Sequence, residues 1–387
     1  MKRQSKKKSA GFTLLEMLVS MAITMVLLYI VVQLFMAATN SNTVVVQAAD
    51  MTDNFRASLN LMEQDLQQTG AGIPTGGISY PFTANSSGCT TTSGVNRPGA
   101  SVQGVVMTTF PTCNSTLPAI EPGNENGPPI TAPDATSGTV QNPNSITDEI
   151  TVLYEDNTLH LDTQQVNGSG CPNGSVSVSG GTTTVVFDPN CLNLSTSLAN
   201  LGITINVGDL IMLQNANGNT LLCVTAVSVA GNSLTFASGD PFALNNTTAS
   251  AGTIQQLATS GCTSGAASCF TGITATRVWM ISYYLDDWTA PPYIRLIRRV
   301  NFNPGVPVGE TLENLQFTYN FVDGITNPSN QSTVPTGNSE SQIRSVDVYL
   351  AARSSYEGHL GNTHNFARNN LMTQVSLRSM AYVDRYR

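Results

Sequence analysis

The feature that most constrains this chain is a 27-residue apolar run from Phe12 to Ala38, preceded by Lys2, Arg3, Lys6, Lys7 and Lys8. Its length exceeds the roughly 7–15 residues of a secretory h-region. It is sufficient for a tilted membrane-spanning helix, and the lysines stay cytoplasmic by the positive-inside rule. One acid, Glu16, lies inside the run, five residues after Gly11. A carboxylate in lipid costs roughly 2.5–3.5 kcal/mol on insertion scales. Neither a signal peptide cut near Ala37-Ala38 nor an ordinary single-span anchor gives a reason to keep it.

The helical pattern continues beyond the apolar run. Val44, Ala48, Met51, Phe55, Leu59, Met62 and Leu66 recur at steps of three and four, one apolar stripe, with Asp50, Asp53, Arg56, Glu63 and Asp65 mostly off it. Gly70-Ala71-Gly72 with Pro74 beyond is a stop signal. A continuous helix from Phe12 to Thr69 would be about 87 Å long at ~1.5 Å per residue.

After Gly70 the composition changes. Residues 71–145 are rich in Gly, Pro, Ser, Thr and Asn and read as an irregular insertion. Strand-like runs follow at Glu149–Tyr154, Val176–Ser179, Thr183–Phe187, Asp209–Gln214, Thr220–Val229 and Ser233–Phe236. Gly231-Asn232 makes the last two a hairpin. The most regular part is 275–387. Val278–Leu285 and Tyr293–Val300 flank a turn, and Leu312–Phe321, Ile343–Ala352 and Met372–Val383 alternate with period two. The expected fold class is α+β: a long N-terminal helix (12–70, with 12–38 the membrane-spanning half) packed on a large antiparallel β-rich head (71–387).

Composition excludes several kinds of chemistry. Every lysine precedes Gly11, which leaves twelve arginines against 25 acids in the rest of the chain, a balance of −13. Such a body lacks the basic surface of a nucleic-acid binder. The chain has no Gly-x-Ser-x-Gly elbow, no Ser-x-x-Lys and no phosphate-binding glycine loop. His160, His359 and His364 are the only histidines, and the last two read as loop residues. Asp286-Asp287 reads as a solvated turn, because calcium needs six to eight oxygens and no EF-hand spacing is present. Arg295, Arg298 and Arg299 are expected to offset the domain's own acids. No catalytic residue, metal or cofactor is expected.

Six of the seven cysteines form sequence-local pairs, Cys89/Cys113, Cys171/Cys191 and Cys262/Cys269, natural disulfides in an exported chain. Six cysteines allow fifteen connectivities, so the pairing stays open. Cys223, in the apolar run LLCVTAV, reads as a buried thiol.

Gly11-Phe12-Thr13-Leu14-Leu15-Glu16, behind its lysines, resembles the processing site of type IV prepilins and type II secretion pseudopilins. The resemblance implies that residues 1–11 are a leader removed by prepilin peptidase between Gly11 and Phe12. It also implies that Phe12 is N-methylated and that Glu16 pairs with the new Phe12 amine of a neighbouring subunit. The pieces YYLDD…YIRLIRRV, LENLQFTYNF, IRSVDVYLAARS and QVSLRSM, in this order, resemble the C-terminal part of PilW-like minor pilins. That resemblance covers residues 1–70 and about 275–387; the middle, 71–275, has no match. It implies a non-enzymatic minor pilin at or near the tip of a type IV pilus, with roles such as adhesion, twitching motility or DNA uptake. Its partners would be other minor and major pilins, prepilin peptidase, the inner-membrane assembly platform and a tip adhesin. The implied location is the inner membrane with a periplasmic head, then the cell surface after assembly. The alternatives are a large minor pseudopilin of a type II secretion system and a membrane-anchored exported adhesin.

Overall fold

The computed structural model describes residues 13–81, 95–99, 101–102, 105–106, 110, 116–127, 146–156, 166, 170–195, 204–246, 252–262, 265–286, 294–354, 358–360, 363–365 and 368–383. Helix α1 runs from Leu14 to Gln68 without a break. Its long apolar stretch contains no Gly or Pro, so nothing interrupts the backbone ladder. Thr13 caps its start, and the chain leaves it through Gly70 in the left-handed region at φ 81°. By length and composition α1 can cross a membrane. From Leu14 to Phe35 it is exposed throughout, and burial begins at Met51.

Three antiparallel sheets form the head. The largest has seven strands: β5 (Ile120–Gly123), β6 (Glu149–Glu155), β9 (Leu210–Asn215), β10 (Gly218–Cys223), β13 (Thr274–Asp286), β14 (Arg295–Val300) and β15 (Val306–Glu310). The central strand β13 changes partner along one edge. It pairs with β9 over Thr274–Val278 and with β14 over Ile281–Asp286, while β6 lies along the other edge at Val278–Tyr283. Asn301 fills the fork. Its backbone N–H donates to Met280 O at 2.7 Å and its Oδ1 accepts from Met280 N at 3.1 Å, which requires its φ of 51°.

A four-stranded sheet, β11 (Ala226–Ser228), β12 (Ser233–Phe236), β8 (Thr182–Val186) and β7 (Ser175–Ser179), stands on the β9/β10 end. A three-stranded sheet joins β16 (Leu312–Phe321), β17 (Ile343–Arg353) and β20 (Arg368–Ser376). Short pairs link β1 (Ile78–Ser79) with β4 (Thr116–Leu117), β2 (Ser101–Val102) with β3 (Val105–Val106), and β18 (Gly358–Leu360) with β19 (Thr363–Asn365). A short helix α2 (Arg378–Val383) follows β20.

Period-two alternation divides the large sheet into two faces. Ile281, Tyr283 and Leu285 of β13 join Ile150, Val152 and Tyr154 of β6 in the core that receives Met51, Phe55, Leu59, Met62 and Leu66 of α1. The β16–β17–β20 sheet closes that core with Leu315, Phe317, Val346, Val348 and Val375. Val278 and Met280 face the opposite side, packed with Tyr80, Phe110 and Phe242. A further core, under the four-stranded sheet, gathers Val176, Val185, Leu234, Phe236 and Phe270.

Three expectations change. The run 220–229 is two strands, because Cys223 closes against β9 whereas Ala226–Ser228 turns to β12. The run 372–383 is strand only to Ser376, and Arg378–Val383 is helical. Within 71–145, the described residues include short ladders and β5, an integral strand of the main sheet.

Candidate functional site

The tip of α1 is built by Thr13 and Glu16. Thr13 Oγ1 accepts from Glu16 N at 3.3 Å, and Glu16 Oε2 accepts from Thr13 N at 3.0 Å and Thr13 Oγ1 at 3.1 Å. This reciprocal capping box satisfies two of the orphan amides that any helix leaves at its start. Glu16 therefore has a partner within its own chain, at the residue adjoining Phe12. Gly11 and Phe12 themselves lie outside the described residues.

At the other end of the helix, the charge expected off the stripe is in the core. Asp65 is 4% exposed. It accepts from Tyr154 Oη at 2.9 Å, Tyr283 Oη at 2.5 Å, and Arg298 Nε at 2.7 Å and Nη2 at 3.1 Å. These four donors come from three adjacent strands, β6, β13 and β14. A carboxylate this deep persists because every oxygen is engaged by charge-assisted or phenolic donors. Burial, then the Asp65 charge, pushes both phenols well above their ordinary range. Desolvation pulls the Arg298 guanidinium down, but hydrogen bonding and charge attraction to Asp65, with Tyr283 and Tyr154 adding, together hold it above its ordinary value. One turn pair earlier, Ser58 Oγ donates to Val308 O of β15 at 2.8 Å. Gly309 admits this approach, since a Cβ there would stand 2.2 Å from Ser58 Oγ. In the sequence Asp65 reads as lying off the apolar stripe and Ser58 carries no signal, although steps of four and three place both on the helix face of Met62.

The arginine trio thus divides. Arg298 holds α1. Arg299 donates to the carbonyls of Asn303 at 3.1 Å and Gly99 at 3.3 Å and lies 4.9 Å from the Phe302 ring. Arg295 sits opposite Asp286 on β13 and Glu310 on β15. A second buried cation, Arg277 of β13, is stacked 4.7 Å from Trp279 and paired with Asp156 and Asp209, which adjoin the ends of its neighbours β6 and β9.

Cys171–Cys191 and Cys262–Cys269 are disulfides, and Cys223 is a buried thiol. Burial, then Asp240 and Asp209, pushes the Cys223 thiol up to about 12, which makes it a poor nucleophile. Cys89, Cys113, His160 and Asp287 lie outside the described residues. His359 and His364 are backbone partners in the short β18–β19 ladder. Among the described residues no group of three His, Cys, Asp or Glu could hold a metal ion.

Residues 6–32 match the family model described as the prokaryotic N-terminal methylation motif. None of the curated proteins matches the chain. Among solved structures, a type IV-like pilin from Thermus thermophilus overlaps 45% of this chain and 87% of its own at 8% identity, with a TM-score of 0.16. So low a score aligns little beyond local elements. The chain therefore carries an N-terminal methylation motif of the type found in type IV pilin-like proteins, on a helix long and apolar enough to enter a membrane, ahead of a β-rich head.

Proposed function

We propose that this protein is a minor pilin, a non-enzymatic filament subunit cut between Gly11 and Phe12, N-methylated at Phe12, and placed at or near the tip of a type IV pilus of the PilW-like kind. The observation that carries the reading is the division of one uninterrupted helix. Its motif-bearing half, Leu14 to Phe35, is exposed and apolar, whereas Met51 to Leu66 is fixed in the head. Such a helix suits insertion first into a bilayer and then into a bundle of like helices. A head of more than 300 residues is bulky beside a helical core, which favours few copies per fibre. Prepilin peptidase, other pilins and the inner-membrane platform are the partners this role requires. The type II secretion pseudopilin is the second reading, favoured by the same motif; a deletion that blocks enzyme export but spares motility would select it.

The mature N-terminus tests the proposal. Mass spectrometry should find methyl-Phe12, and Gly11→Leu should leave the full-length chain in the membrane. A mature chain beginning at Met1 or Thr39 refutes the reading. Copy number in sheared fibres tests the minor role, and parity with the main subunit refutes it.

A further inference from the structure

Sheet edges expose unpaired backbone groups, and native proteins cover, interrupt or shorten them. Nearly every edge in this head follows that rule. The outer edge of β16 bonds to a returning loop, with Tyr319 N to Gln331 O at 2.8 Å, Gln331 N to Tyr319 O at 3.0 Å and Phe321 N to Pro328 O at 2.8 Å. Farther along, Phe317 N donates to Asp148 Oδ2 at 2.8 Å. At β10, the Asn245 amide accepts from Cys223 N and donates to Cys223 O, at 2.9 and 2.7 Å. At β7, Val178 N donates to Gly265 O at 2.7 Å. On β5, Arg97 takes the carbonyls of Glu121 and Pro122, at 2.8 and 3.1 Å. On β15, Pro307, a register shift and Ser58 interrupt the edge. Strand β11 is only three residues long.

β20 is the exception. It has nine residues, pairs with β17 in an unbroken register, and contains no proline. Its outward backbone groups from Asn369 to Ser376 bond to nothing among the described residues, apart from Asn370 N and the Asn369 side chain at 2.9 Å. Alternate residues of an antiparallel strand direct N–H and C=O away from the partner, so about four residues here offer a free ladder. Asn369, Asn370, Leu371, Met372, Gln374 and Ser376 are exposed. The strand's one charge, Arg368, is tied to Glu313 at 2.9 Å, and residues 369–377 are uncharged.

We propose that β20 is a receiving edge, to which an extended, uncharged strand of a different protein adds as a fourth strand of the β16–β17–β20 sheet. Three observations specify this occupant. A free backbone ladder recognises extended backbone. An uncharged row in an otherwise acidic body gives a charged strand no counter-ion. Leu371 and Met372, 42% and 62% exposed, project to opposite faces and reward apolar side chains on both faces of the incoming strand. A second copy is disfavoured because each chain carries a net charge of −8. This assignment rests on the edge alone and is independent of the pilin reading.

The test uses the full chain in detergent micelles and a peptide copying residues 369–376, because backbone-driven addition tolerates sequence. Amide hydrogen exchange is read with the peptide, with a twin N-methylated at alternate residues, and in the variants Met372→Lys and Gln374→Lys. Both substituted side chains are exposed, so folding should persist and is checked by circular dichroism. The expected result is exchange slowed about tenfold or more by the peptide at the outward amides of Met372, Gln374 and Ser376, not by the twin, and lost in at least one lysine variant. The proposal is overturned if the free chain already protects these amides, if millimolar peptide protects none, or if the twin protects equally. Protection that rises with protein concentration alone would assign the edge to a second copy and overturn a foreign partner.

Discussion

Replacing Asp65 by alanine should destabilise the head more than any other single change on the buried face of α1. The substitution removes the acceptor of four hydrogen bonds and leaves two phenols and one guanidinium without it. Breaking a buried ion pair from one side costs about 3–5 kcal/mol. The Arg298 side chain is 23% exposed and can recruit some water, so the lower half of that range applies, about 3–4 kcal/mol. In a head of this size ~1 kcal/mol moves the midpoint by about 2 °C, giving a fall of roughly 6–8 °C. The assay is near-ultraviolet circular dichroism of the full chain in micelles, since Tyr154 and Tyr283 report on the site. Arg298→Met supplies the second edge of a double-mutant cycle. If the cost is mainly that of an orphaned charge, the double variant should be more stable than Asp65→Ala alone. A midpoint within about 1 °C of the parent, or additivity within ~0.5 kcal/mol, would refute the argument.

Glu16 separates two roles by its substitutions. Glu16→Gln keeps an acceptor for Thr13 N but removes the charge, whereas Glu16→Ala removes both. If pairing with the Phe12 amine governs assembly, both variants are cleaved and both incorporate poorly into sheared fibres; normal incorporation of the Gln variant would leave only the cap as its role. Glu121, 4% exposed, is raised from 4.5 to about 7, first by burial, with Glu340 adding to the rise and Arg97 opposing it. The native state therefore binds this proton more tightly than the unfolded chain does, so stability is fullest below 4.5 and falls as pH rises through 7. Glu121→Gln should flatten that window and gain up to about 3 kcal/mol at pH 8, read by denaturant titration at both ends. The Cys171–Cys191 bridge spans 20 residues, and Cys171→Ser with Cys191→Ser should cost about 3 kcal/mol, measured the same way without reductant.

The sequence revealed those elements whose signal is local. Helix α1 was readable from its apolar run, its stripe and the Gly70 stop, and the long strands from period two. Asp65 was not, because its burial depends on Tyr154, Tyr283 and Arg298, which lie 89, 218 and 233 residues away. The break in 220–229 was hidden for a related reason. Alternation marks a strand but not which sheet it joins, and Asn245 and Thr225, on the flanking turns, make that choice. The helical end of 372–383 lost to the same ambiguity, since an apolar residue at every second or third place fits either period over so short a run. Glu16 was readable as an anomaly in lipid, whereas its cap with Thr13 rests on a Thr-x-x-Glu spacing that marks a helix start only when an unbroken helix follows it.

The order of attachments along α1 has a mechanical consequence. A pull on the exposed end of the helix reaches Met51 and Phe55 first, then Ser58 on β15, and only in the last turns Asp65. Contacts met in that order can be peeled one after another near Met51. The Asp65 contact is shared across β6, β13 and β14, so dislodging it means moving three paired strands together. Tension would therefore fray the near end of the helix long before it freed the head.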